Sequence, residues 1–324
     1  MRTYSFNSFL SKKILMRFIT GAVLVAIAGA CTAAAPQHSV LDETVWDVAA
    51  NQAISADVLI ERSRIADIVL LGETHDNPVH HRIQNVILNA LIDAGRKPSL
   101  VMEQFDFEQQ LQIDKALSPD TSRTDSLLQF KQTMVAGWDW PQYQALLETA
   151  IDRHLRVRAA NLSRNRLQRV SRQGFTALGA GEAARLALDT GWSEVQETHL
   201  EKDIIDGHCG MLPAKAAPAV AQAQRARDAM MADAILTERS DSVVAILGRE
   251  HVRRDLAVPH YLVARAPQRK VVSVGLIESD DLKKPTDDVS STSNFRYDYL
   301  VLTAPVQRKV DPCKGLVMPT SMSR

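Results

Sequence analysis

Little in this 324-residue chain names a partner outright, and its absences narrow the field first. Its 38 Lys plus Arg are matched by 38 Asp plus Glu, so no overall field draws it to nucleic acid or to an acidic surface, and any charged ligand must be met locally. There is no internal repeat, which excludes solenoids and arrays. No serine or cysteine nucleophile motif appears, so any hydrolysis would have to use an activated water. After the amino terminus no apolar run approaches the ~20 residues that span a bilayer. Cysteines number three and aromatics make up 5%. What is there is a globular composition, 45% hydrophobic, enough to bury a sizeable core as one large domain or as a domain carrying an insertion.

The amino terminus departs from that average. Lys12, Lys13 and Arg17 precede a short apolar run, Phe18 to Ala30, and Ala28-Gly29-Ala30-Cys31 closes it with small residues before a cysteine. This is a signal-peptide layout ending in something similar to a lipobox, with lipidation expected at Cys31. Ala28 stands where leucine is usual, so ordinary signal peptidase cleavage is the alternative, and Met16 is an alternative start. Thr32 rather than Asp after the cysteine points to the outer membrane, facing the periplasm. Residues 32–44 then read as a tether. With Cys31 lipidated, Cys209 and Cys313 remain as an even pair in an oxidising compartment, where a disulfide would tie an irregular tail, 306–324, to the body.

Between tether and tail, near-continuous apolar runs at Ile68 to Leu71, Ser99 to Met102, Leu155 to Ala160, Val243 to Leu247, Val271 to Val274 and Tyr299 to Leu302 read as strands. They alternate mostly with helical patterns. The expected class is α/β, a layered, mostly parallel sheet flanked by helices with right-handed crossovers. The core takes 45–162 and 240–305. Between them, 163–239 lacks strand signal and reads as a smaller helical subdomain inserted into the core, with helices at Glu182 to Leu188, Ser193 to Ile205 and Ala219 to Thr237. Asp280 to Asn294 is a polar loop.

The strands run into polar residues each time: Glu73 and His75, then Glu103, then Asn161, then Arg249, Glu250 and His251. Packing gives no reason for a central parallel strand to end in a carboxylate or an imidazole, and in open α/β sheets such ends share the crevice where ligands bind. Two acids and two histidines suit acid–base work, or a divalent metal held by His75, His251, Glu73 and Glu103. The plainer readings are a first-turn acid at Glu73, a solvated His75, and Glu103 neutralised by Arg249. Asn77 caps a helix opening at Pro78, on which adjacent His80 and His81 face different ways, so at most one looks into the crevice and the other is a surface residue. His154 and His199 lie on charge-rich segments and read as solvated. His208, Cys209 and Met211 share a helix-ending turn. Trp138, Trp140 and Tyr143 form an aromatic group that packs a core or walls a flat cofactor.

These residues resemble a known family. Gly72-Glu73-Thr74-His75-Asp76-Asn77 with His80-His81, Met102-Glu103-Gln104-Phe105, Ala160-Asn161-Leu162, the run Gln224 to Ala232, and Gly248-Arg249-Glu250-His251-Val252 look, in that order, like the ChaN haem-binding uptake lipoproteins, over about 46–313. The resemblance implies an α/β domain with a small helical domain, binding haem for iron uptake, with tyrosine as iron ligand. Tyr143 and Tyr261 are then the candidates, His81 and Arg249 further cofactor contacts, and Arg164 or Arg225 partners for propionates. It also implies a haem-promoted homodimer and an outer-membrane haem or iron receptor as partner. The wider group, with Tiki proteases, TraB proteins and erythromycin esterases, shares paired Gly-x-x-His elements, here Gly72 to His75 and Gly248 to His251, with a strand-end glutamate, here Glu103. That keeps a hydrolase, esterase or protease, using Glu73, His75, Glu103 and His251, as the alternative to a binding protein.

Overall fold

The computed structural model describes residues 41–188, 191–286, 296–309, 311 and 313–314. Cys31, the leader, its lipobox and most of the tether lie outside them, as do 287–294 of the polar loop and most of the tail. The strands are β1 (Thr44–Asp47), β2 (Gln52–Ile54), β3 (Ile68–Glu73), β4 (Ser99–Asp106), β5 (Val157–Asn161), β6 (Val243–Gly248), β7 (Val271–Glu278) and β8 (Tyr299–Thr303). They form one 8-stranded sheet in the order β2-β1-β8-β7-β3-β6-β4-β5. From β8 to β5 every pairing is parallel, and β1 and β2 add an antiparallel edge. The expected α/β class is therefore the one the chain adopts.

All six strands expected from sequence are present. Their apolar runs are continuous because both faces are covered. Val69, Leu71, Val244 and Ile246 point into one core layer with Ile83, Ile87, Leu146 and Leu147. Their neighbours Ile68, Leu70, Val243 and Ala245 point into the other, with Ala229, Met230, Val258 and Leu262. Strands β1 and β2 were not anticipated. At four and three residues they are too short to show a period, and Thr44 opens β1 inside the stretch read as tether, where Leu41 is already buried. Strand β4 runs on to Asp106, so Glu103 sits in the strand rather than after it.

The α-helices are α1 (Ala56–Arg64), α2 (Pro78–Asp93), α3 (Gln110–Ala116), α4 (Arg123–Thr133), α5 (Trp140–Asp152), α6 (Arg164–Gln173), α7 (Ala180–Arg185), α8 (Glu194–Gly207), α9 (Ala217–Leu236) and α10 (Val258–Arg265). Helix α9 starts two residues before the expected Ala219, with Pro218 in its first turn, where the missing N–H costs nothing. Its carboxyl-terminal half, Ala226 to Ile235, is buried in the same apolar layer as β3 and β6. The last helix of the expected insertion thus serves as the layer that covers the sheet. Among the described residues no helix is long and apolar enough to cross a membrane. Cys209 and Cys313 are joined in the expected disulfide, with their Cα atoms 5.7 Å apart.

Candidate functional site

Two glycines let the strand ends close on one another. A Cβ on Gly72 would collide with Val252 and come within 2.8 Å of the Cα of Arg249, so glycine allows the turn Arg249–Val252 to pack against β3. A Cβ on Gly248 would stand 2.8 Å from Cε1 and 3.0 Å from Nε2 of His75. Each Gly-x-x-His element thus supplies the gap that the other element fills.

Glu73 ends β3 fully buried. Its Oε1 accepts from the Tyr143 hydroxyl at 2.6 Å and from the Gln104 amide at 3.3 Å, and lies 2.9 Å from Nδ1 of His75. Its Oε2 has Nδ1 of His81 at 3.2 Å, an ion-pair contact that falls short of hydrogen-bond geometry. Burial alone would raise the Glu73 pKa, but His75 and His81 outweigh it and hold the carboxyl at about 2. Burial likewise works against a charge on His81, and Glu73 overcomes it, so its pKa is raised. Tyr143, buried and facing this carboxylate, is pushed far above the usual phenol range.

The second half of the site is built on β4, β6 and α9. Oε1 of Glu103 accepts from Nη2 of Arg227 at 2.6 Å, and Oε2 accepts from the Gly248 backbone N–H at 2.7 Å. His251 lies between two acids, with Nδ1 2.5 Å from Asp228 and Nε2 3.4 Å from Glu103. Burial would favour neutral imidazole, but Glu103 and Asp228 raise its pKa to about 9, so it is an imidazolium at neutral pH. The two acids respond differently to the same neighbour: burial pushes the Asp228 carboxyl up, whereas Glu103, which also has Arg227, is held far below the usual range against its own burial. Two cations and a backbone N–H converge on Glu103.

Glu73, His75, Glu103 and His251 all line one cleft of about 910 Å³ at the carboxyl ends of the strands. Trp138 closes one side, its ring edge-on to His75 with centroids 4.5 Å apart. Leu200, Ile204 and Leu256 give the cleft an apolar wall, His208 joins them, and Arg227, Arg249 and Arg296 add positive charge.

Several expectations need correction. Arg249 does not neutralise Glu103; its guanidinium pairs with Glu250 at 3.2 Å, and Arg227 has taken the role because α9 crosses the strand ends. His80 is no surface residue. It is fully buried, accepting from the Thr74 N–H at 2.8 Å and meeting the Thr303 hydroxyl at 2.8 Å, while burial lowers its pKa to about 4. His81 is buried too, behind Glu73 and off the cleft. His154 and His199 are exposed as expected. Arg225 is no propionate arm: it donates to the Leu188 carbonyl and to Glu197 and stacks on Trp192 and Phe175. Arg164 is exposed and off the cleft. Tyr143 lies beneath the floor, bonded to Glu73, and Tyr261 is buried beside Trp192 on another side of the core.

The divalent-metal expectation also fails. Among the described residues no group of three or more His, Cys, Asp or Glu side chains is arranged to hold an ion; both oxygens of Glu103 are taken by Arg227 and the Gly248 N–H, and Oε1 of Glu73 by Tyr143 and Gln104. Sequence places Gln224, Arg227 and Asp228 in a run that resembles the family but gives none of them a role in the site, where the Gln224 amide lies 3.1 Å from His251. Their spacing of three and four residues, which puts them on one helix face, was the available signal.

A family model and several solved structures resemble this chain to different degrees. The family model described as haem-binding uptake, Tiki superfamily, ChaN matches residues 59–262. A solved structure of cofacial heme binding to ChaN of Campylobacter jejuni superposes with a TM-score of 0.63 at 20% identity, covering 80% of this chain and 96% of that one. A succinoglycan biosynthesis protein gives 0.41 at 11% identity, covering 68% of each chain. The erythromycin esterase EreC gives 0.39 at 12% identity, covering 78% of this chain and 80% of that one. Curated proteins provided no match.

Proposed function

The chain belongs to the ChaN haem-binding uptake family of the Tiki superfamily, and from that premise we propose that it binds haem in the cleft at its strand ends and serves haem or iron uptake. The observation that carries this reading is the make-up of the cleft. It has about 910 Å³ of space, an apolar wall of Trp138, Leu200, Ile204 and Leu256, and cationic side chains around it, which suits an amphiphile with a flat apolar body and carboxylate arms. Arg249 is the arm free to meet a propionate: it is 43% exposed and its partner Glu250 is 55% exposed, so exchanging that weak pair for a ligand carboxylate costs little.

The protein is further read as exported and lipid-anchored through Cys31, facing the periplasm from the outer membrane, with an outer-membrane haem or iron receptor as its exchange partner. Support comes from the leader and from the Cys209–Cys313 disulfide, which belongs to an oxidising compartment. Haem-promoted pairing of two chains belongs to the same reading and would make dimer formation depend on haem. Titrating haemin into the purified protein while following the Soret band tests the core of this reading, with light scattering on the same samples reporting the dimer. A saturable shift is expected, and none would end the proposal.

One observation favours a second reading, a water-activating hydrolase. His75 has its Nδ1 fixed by a buried carboxylate 2.9 Å away, the arrangement that orients an imidazole as general base. Hydrolysis of simple esters by the wild type, abolished in His75→Ala, is what that reading requires.

A further inference from the structure

Helix α6 carries a charge pattern found on no other helix among the described residues. Its sequence, RNRLQRVSRQ, holds four arginines and no acid, whereas every other described helix with more than one lysine or arginine also has an acidic residue. Leu167 and Val170 pack it onto the layer that covers the sheet, and Arg166 on its flank pairs with Glu108 and Glu182. Arg164, Arg169 and Arg172 are exposed, and their side chains have no ion-pair or hydrogen-bond partner among the described residues. With Asn165, Gln168 and Gln173 they make up the whole solvent face of the helix, in the two rows 164–168–172 and 165–169–173 that i, i+4 spacing aligns.

This face does not serve the helix itself. Cations near a helix amino terminus meet the positive end of its dipole, yet Arg164 and Arg166 sit in the first turn, which has no acid, and the Ser163 side chain makes no cap bond. Arg169 and Arg172, three apart, repel one another. A face that only had to stay wet is best met by charges of both signs; here one sign is gathered in a chain whose totals balance. The cations at the opposite rim of the sheet have a plainer cause, because Lys97, His154 and Arg239 follow the carboxyl ends of α2, α5 and α9, where positive charge is favoured.

Position selects the partner. Strand β5 ends at Asn161 and runs parallel to β4, so α6, opening at Arg164, starts on the rim that holds the cleft. Strand β1 is antiparallel to β8, with Thr44 opposite Leu302, so the chain enters the sheet from that same rim. A lipid on Cys31, the anchored reading on which this choice of partner rests, keeps the rim within ~45 Å of a bilayer, the reach of the intervening residues fully extended. We propose that the arginine face of α6 docks on an anionic phospholipid surface, its guanidiniums pairing with headgroup phosphates.

The test uses the full chain carrying Cys31→Ser, which cannot be lipidated, and sediments it with vesicles of phosphatidylcholine alone or mixed with phosphatidylglycerol. Each basic side chain at an anionic surface contributes about fivefold to the partition constant, so Arg164→Gln, Arg169→Gln and Arg172→Gln together should weaken binding to the mixed vesicles about a hundredfold at low salt. The difference should vanish at about 1 M salt, where the screening length falls to ~3 Å. Lys97→Gln with Arg239→Gln, on the opposite rim, should stay close to the unsubstituted chain. The basic leader is common to all these proteins and cancels in the comparison. Unchanged melting temperatures show that the variants are folded, which exposed positions permit. Full binding in the triple variant would leave the face to an acidic protein and overturns the proposal, as do equal losses in the opposite-rim variant. Mass spectrometry that finds Cys31 unmodified in the chain taken from cell envelopes would end the anchored reading alone, since the vesicle comparison does not depend on it.

Discussion

The imidazolium buried between Asp228 and Glu103 makes a pH dependence that can be worked out in advance. The pKa of His251 is raised from 6.5 to about 9 in the folded chain. A group whose folded pKa lies above its unfolded value contributes stability that is complete below the unfolded pKa, here 6.5, and is lost as pH rises through about 9. A tenfold change in proton affinity corresponds to ~1.4 kcal/mol, so roughly 2 to 3 kcal/mol present at pH 7 should be gone by about pH 10. The upward push on the Asp228 carboxyl shows that burying the pair has a cost of its own, which makes this an upper bound. The assay is urea unfolding from pH 7 to 10 on the wild type and on His251→Gln. Lysines and tyrosines titrate in both proteins, so the difference between the two curves isolates His251. The wild type should lose its advantage over the variant across that window, and an imidazole carbon resonance followed by NMR should titrate near 9. Parallel curves, or an imidazole already neutral at pH 8, would refute the reasoning.

Arg227→Met leaves the carboxylate of Glu103, 2% exposed, with only the Gly248 N–H and His251; a loss of about 3 kcal/mol is expected in urea unfolding. Arg249→Ala, by contrast, should stay within ~0.5 kcal/mol, and equal losses would show that Arg249 shares the role after all. Gly248→Ala drives a methyl group into the His75 ring, so it should weaken haemin binding in the Soret titration by more than its ~1 to 3 kcal/mol effect on stability explains; unchanged affinity would mean that the His75 ring can move freely. Reduction of Cys209–Cys313, 104 residues apart, removes up to ~5 kcal/mol of loop-closure stabilisation. A lower melting temperature in reductant, reproduced by Cys313→Ser, checks it, and no change would show that the tail is held mainly by Arg308, which pairs with Asp76 and Glu278.

The parts of this molecule that sequence made legible are those where one physical cause dominates. Burial on both faces leaves an unbroken apolar run, so β3 and β6 could be read from their residues alone, and a carboxylate or imidazole ending such a run has no packing role to hide behind. The illegible parts depend on long-range encounters. Residue 249 adjoins its strand and looks like the natural cation for Glu103, yet the actual partner comes from Arg227, 124 positions away in sequence, because α9 lies across the strand ends. His80 reads as an ordinary first-turn polar residue and is buried because β8 brings Thr303 to it from 223 positions away. The edge strands β1 and β2 are only four and three residues long, which leaves no period to detect.

The two Gly-x-x-His elements are alike in sequence and end neighbouring strands, yet their histidines differ in kind, and the difference comes from α9. At the second element that helix brings Asp228 to Nδ1 of His251 and Arg227 to Glu103, so both nitrogens of His251 face acids and its pKa is raised. The first element has no such helix above it. Its carboxylate is anchored from beneath by Tyr143 and Gln104, and His75 is left with one nitrogen held and nearly half its side chain exposed. The asymmetry leaves a buried charge in one half of the cleft and an accessible imidazole edge in the other, a difference that neither motif reveals when read alone.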